Sequence, residues 1–116
     1  MAKKNPYLEL SADAGRIDEI YRFRFSRFRS MPRISAFLGI TIYMYWRDHN
    51  PPHFHAEYGE HLALVDINEL KVLEGELPRR ALGHVLEWAG EHQQELLENW
   101  ELCKNRQHPN PVSPLE

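Results

Sequence analysis

The stretch Asp48-His49-Asn50-Pro51-Pro52-His53-Phe54-His55-Ala56-Glu57-Tyr58 is the densest grouping of proton-moving and ion-holding side chains in this chain. His53, His55 and Glu57 stand two residues apart, so an extended strand puts them on one face. Phe54, Ala56 and Tyr58 then share the other face. On this reading the apolar set looks inward, and the polar trio is presented outward or into a groove. Asp48 and His49 precede the rigid pair Pro51-Pro52, which lowers the entropy cost of folding a loop over the trio.

Three chemical uses fit such a set. A His-x-His pair with a carboxylate can ligate zinc, nickel or copper, since imidazole and carboxylate suit these ions. Histidine with Asp or Glu can instead act as acid and base. In RNA cleavage one group takes the 2′-hydroxyl proton and another protonates the leaving oxygen, with Arg47 or an arginine of the N-terminal arm stabilising phosphate charge. The same surface can also recognise a ligand or a partner chain, and a solvated sheet face carrying histidines is the plain alternative. Catalytic roles are assigned to His53, His55, Glu57, His49 and Asp48, and phosphate or ligand binding to Arg47 and Tyr58. No metal ligands are assigned and no cofactor is expected, because two histidines at spacing two are common and no second ligand pair of His-x-x-x-His type follows them.

The elements that must position these groups can be read from the flanking pattern. Ile40–Trp46 is dense in β-branched and aromatic residues and predicts a strand, with Gly39 marking a bend or bulge at its start. Asp48–Pro52 is a loop by its Asx and proline content. His53–Tyr58, His61–Ile67 and a short Leu70–Leu73 continue as strands, and connections this short require antiparallel pairing. From Pro78, a residue suited to a first helical turn, Leu82, Val85, Leu86, Ala89, Gln93, Leu96, Leu97, Trp100 and Cys103 recur at three- and four-residue steps. That stripe predicts one amphipathic helix of roughly 39 Å, longer than a sheet of short strands, which span about 20 Å. Its far end must pass the sheet, bend near Gly90, or pack on the arm or a partner. The fold class expected is α+β: a three- to four-stranded antiparallel meander with one long C-terminal helix packed on it.

Residues 1–30 read as a basic extension, 31–106 as a single α+β domain, and 107–116 as a flexible Pro-rich tail. Within the extension, a short helix is expected around Ala14–Phe25, and Arg and Phe nearly alternate from Arg22 to Arg29. Residues 1–35 carry eight Lys/Arg against four Asp/Glu, whereas 36–116 carry six against thirteen, under a net charge of −3. A basic arm of this kind can follow a phosphate backbone or fold back on its own acidic domain. The 116 residues suffice for one hydrophobic core. The lone Cys103 excludes an intrachain disulfide framework and makes a reducing cytoplasm the expected compartment. No apolar run approaches a membrane span, and the arm lacks the apolar stretch of a secretory signal.

Several motifs together carry a family resemblance. Met31–Ile40, Tyr43-Met44-Tyr45, Asp48–Gly59, Leu73–Arg80, Glu87-Trp88 and Glu95–Trp100 resemble the bacterial domain of unknown function 4160 family across about Met31–Arg106. The resemblance implies a small cytoplasmic bacterial or phage-borne protein, with a neighbour of the domain of unknown function 2442 family in an arrangement similar to a toxin–antitoxin pair. It brings no catalytic residues with it. The function expected is the effector of such a module, directed at RNA. The other reading is a non-catalytic module that docks a small partner or a second copy of itself, motivated by the over-long, still apolar end of the helix.

Overall fold

A computed structural model describes residues 32–46 and 48–116. The expectations placed on residues 1–31 and on Arg47 fall outside the described residues. The chain forms five strands, β1 (Arg33–Phe37), β2 (Ile40–Tyr43), β3 (His53–Tyr58), β4 (His61–Asp66) and β5 (Val72–Gly75), followed by two helices, α1 (Arg79–Glu91) and α2 (Gln93–Lys104). The strands pair in sequence order as one antiparallel meander. The α+β class and the meander match the expectation; the numbers of strands and helices do not.

The additional strand is β1. Its register slips between Arg33 and Ser35, so Ile34 and Phe37, three apart, are both buried, and the bulge hides the period-2 signal. Leu38 and Gly39 then turn the chain with φ of 49° and 79°, the two positive values that a tight hairpin turn demands. The second strand is shorter than expected. It ends at Tyr43, although Met44 N–H still donates to the Pro32 carbonyl at 3.1 Å.

The last strand starts two residues later than the sequence suggests, because Asp66 organises the turn before it. Its Oδ1 accepts the backbone N–H groups of Asn68 and Glu69 at 2.8 and 2.9 Å. Gly75 closes β5 at φ 78°, and a side chain there would run into the Leu62 backbone.

The expected single helix is two. Helix α1 stops at His92 (φ −124°, ψ 24°), and α2 begins immediately after it. Gln93 pins the junction to the sheet, its side-chain amide donating to the carbonyls of Ile67 at 2.7 Å and Asn68 at 3.1 Å. The break lets each helix meet a different part of the sheet. Trp88 of α1 packs edge-on against Phe54, ring centroids 5.7 Å apart, and beside Phe37 at 5.2 Å. Trp100 of α2 reaches His53, at the start of β3, at 5.2 Å. Phe54, Ala56, Val65, Val85, Trp88 and Leu96 are fully buried in the core between these layers.

Residues 107–116 lack regular structure but are not the loose tail expected from their prolines. Val112 N–H donates to the Ile34 carbonyl at 2.8 Å. Trp88 Nε1 donates to Ser113 O at 2.8 Å, and the buried Asn99 side chain makes two hydrogen bonds with the Asn110 backbone. The helices thus supply side-chain donors for the carbonyls of Asn110 and Ser113.

Candidate functional site

The site is built where the β2–β3 loop returns to the sheet. The backbone leaves the ladder after Tyr43, and Ile67 N–H donates to the Pro52 carbonyl at 3.0 Å, fixing the loop's far end beside β4. The loop lays Asp48 against the two histidines of β3. Its Oδ2 accepts from Nε2 of His53 at 3.0 Å and, more weakly, from Nε2 of His55 at 3.5 Å. Its Oδ1 accepts from the backbone N–H of His49 at 2.9 Å and from that residue's Nδ1 at 3.1 Å.

The three central side chains are deeply buried, at 3% exposure for His53, 1% for His55 and 3% for Asp48, whereas His49 is 30% exposed. The outward polar face expected for His53 and His55 is therefore not what forms. Leu62, Leu64 and Asp66 on β4 are also buried, and the cross-strand partners His53–Asp66, His55–Leu64 and Glu57–Leu62 put them on the histidines' side of the sheet. Tyr45 stacks on His55 with ring centroids 4.0 Å apart and planes at 28°. Two imidazoles tolerate this burial because a carboxylate partners them.

Burial alone would push the Asp48 carboxyl up, but hydrogen bonds from His49, His53 and His55, and the charge on His53, hold it well below the usual carboxylate range. Burial alone would push the His53 imidazole down. Its hydrogen bond and charge interaction with Asp48, the Pro51 carbonyl and the Asp66 charge outweigh that and leave its pKa raised. The geometry agrees. Nδ1 of His53 donates to Pro51 O at 2.7 Å while Nε2 faces the carboxylate, and two acceptors are satisfied together only by a doubly protonated ring. Cys103, on α2, is buried, and burial with the Asp48 charge pushes its thiol up to about 12, so it stands as a neutral thiol.

Of the residues singled out from sequence, the fold unites Asp48, His49, His53 and His55. It does not unite Glu57 with them. Two residues along the strand is a step of about 6.6 Å, and the Glu57 carboxylate instead accepts from the Tyr43 hydroxyl at 3.1 Å. Burial and Glu57 together raise the Tyr43 pKa. Tyr58, expected inward, is 37% exposed at the end of β3, beside the Gly39 turn. Sequence reading missed Tyr45, Trp100 and the Pro51 carbonyl as neighbours of the histidines. An aromatic at the end of a strand was visible for Tyr45, but nothing local pointed from Trp100 or Pro51 to His53.

One potential ligand atom from each of Asp48, His53 and His55 lies within 4.8 Å of the others, the one such grouping among the described residues. No described helix is long and apolar enough to cross a membrane. Comparison with curated proteins and with solved structures gave no match. Residues 39–101, covering β2 to β5 and the site up to Glu101 in α2, match a family described as a domain of unknown function, DUF4160. The match spans more than half of the chain, and the protein belongs to that family.

Proposed function

We propose that this domain is a small effector whose chemistry is proton transfer at the His49–Asp48 dyad, with RNA as the substrate class. The observation that carries the reading is the 3.1 Å contact between His49 Nδ1 and Asp48 Oδ1, made by the one partly exposed histidine of the cluster. A carboxylate that accepts from Nδ1 selects the tautomer in which Nε2 is basic and orients the ring, which is the arrangement general-base catalysis requires. His53 and His55 then act on Asp48, holding it ionised and in place, and do not touch substrate. The RNA direction rests on the arginines of the sequence, Arg47 preceding Asp48 in the chain and Arg22, Arg24, Arg27 and Arg29 in the arm. The family resemblance adds the setting, a bacterial two-protein module with a small partner of the domain of unknown function 2442 family.

Of the apolar helix end that motivates the docking alternative, Leu96, Trp100 and Cys103 are buried within the chain itself, and Leu97 is partly buried against the same core.

The test is incubation of the purified full chain with RNA, alongside its expression without the partner. Cleavage and slowed growth are expected, both relieved in His49→Ala, with a rate loss on the order of 10²–10⁴. Intact RNA and unaffected growth with the wild-type chain would end the proposal.

A further inference from the structure

The carboxylate oxygen of Asp48 that faces β3 is approached by two imidazole nitrogens at once, and hydrogen bonding is not the best use of that geometry. The His55 contact, at 3.5 Å, is at the outer limit of a hydrogen bond. The spacing suits a shared cation better. Ligands about 2.0–2.1 Å from a tetrahedral ion lie about 3.3 Å from one another. The separations from Asp48 Oδ2 to the two Nε2 atoms, 3.0 and 3.5 Å, bracket that value, and one potential ligand atom of each of the three residues lies within 4.8 Å of the others.

We propose that Asp48, His53 and His55 form a binding site for one divalent first-row transition ion of the zinc class, ligated by the carboxylate and the two Nε2 atoms, with the ion displacing to solvent the proton that His53 Nε2 carries in the metal-free protein. This goes beyond the proton-transfer reading and does not depend on it. The surroundings of His53 and Asp48 are those that ligating side chains need. A metal-bound histidine characteristically donates its other ring N–H to a carbonyl or carboxylate, and His53 Nδ1 does so to Pro51 O at 2.7 Å. A ligating carboxylate is itself hydrogen-bonded through its second oxygen, and Asp48 Oδ1 accepts twice from His49. Aromatic rings complete the shell, Tyr45 stacked on His55 and Trp100 against His53. Such a wall excludes water and strengthens the attraction of ion and carboxylate. Two imidazoles favour zinc, cobalt or nickel over magnesium or calcium, which prefer all-oxygen sets.

The experiment uses the full chain, stripped with a chelator and titrated by calorimetry with Zn²⁺ and separately with Mg²⁺. One Zn²⁺ per chain and no Mg²⁺ are expected. Affinity should fall at least about 100-fold in His55→Gln, whereas His61→Gln, on an exposed residue of β4, should bind as the wild type does. Since His55→Gln removes a buried ring, X-ray absorption of the wild-type Zn²⁺ complex supplies a readout that does not depend on the variant folding. Two imidazoles with oxygen and no sulfur support the site. Absence of stoichiometric Zn²⁺ uptake, equal uptake by folded His55→Gln, or a sulfur ligand would overturn it. RNA cleavage is not read in any arm, so failure here and failure of the effector reading are separately visible.

Discussion

Oδ2 of Asp48 lies 3.0 Å from Nε2 of His53, and neither side chain is more than 3% exposed. A loop residue and the first residue of a strand thus share a buried, opposite-charge contact that ties the loop to the sheet. Its consequences for stability have a definite sign.

For the chelator-treated protein, stability should depend on pH through both partners. The folded pKa of His53 is raised above 6.5, so its contribution is complete below 6.5 and is lost as pH rises through the raised value. The folded pKa of Asp48 is depressed below 3.8, so its contribution is complete above 3.8 and is lost as pH falls through the depressed value. Urea midpoints should therefore be highest in mildly acidic solution and decline on the alkaline side. That alkaline decline should be weaker in His53→Gln. A wild-type midpoint that stays flat through neutral pH would contradict the pairing.

Removing one member of the pair should cost more than the pair itself contributes. Asp48→Ala leaves imidazoles buried beside a void, and a loss of about 3–5 kcal/mol is expected. Asp48→Asn keeps an acceptor within reach of neutral imidazoles and should cost less. Denaturant unfolding of the two variants side by side checks the order.

The C-terminal segment should behave as part of the folded unit. Truncation after Arg106 deprives Asn99, which is 1% exposed, of both backbone partners at Asn110. A buried amide left unsatisfied costs about 1–3 kcal/mol, and losing Val112 from the core adds to it. The truncated chain should melt several degrees lower. A melting temperature equal to that of the full chain would show that these contacts do not hold.

Trp88 joins the sheet, α1 and the tail, through Phe37, Phe54 and the Ser113 carbonyl. Trp88→Ala should cost about 3–5 kcal/mol. Trp88→Phe keeps most of the packing but gives up the donor to Ser113. It should be the milder change and should raise proteolytic cutting near residue 113 more than elsewhere.

Much of this protein was determined by local pattern. Alternation along His53–Tyr58 put both histidines on one side and Phe54 and Ala56 on the other, since side-chain direction in a strand repeats every two residues whatever surrounds it. The apolar steps from Leu82 to Cys103 likewise marked the helical region and its buried face. What only the tertiary structure decided is non-local. Glu57 had the right spacing, but the carboxylate that meets the histidines is Asp48, brought there by a loop held at Pro52 by Ile67. The helix divides at His92, where Gln93 is bound to carbonyls of the β4–β5 turn, partners 26 and 25 residues away in sequence. Periodicity records which way a side chain points from its own backbone. It carries no record of which distant group will be waiting there, or of how thoroughly the rest of the fold will close over both.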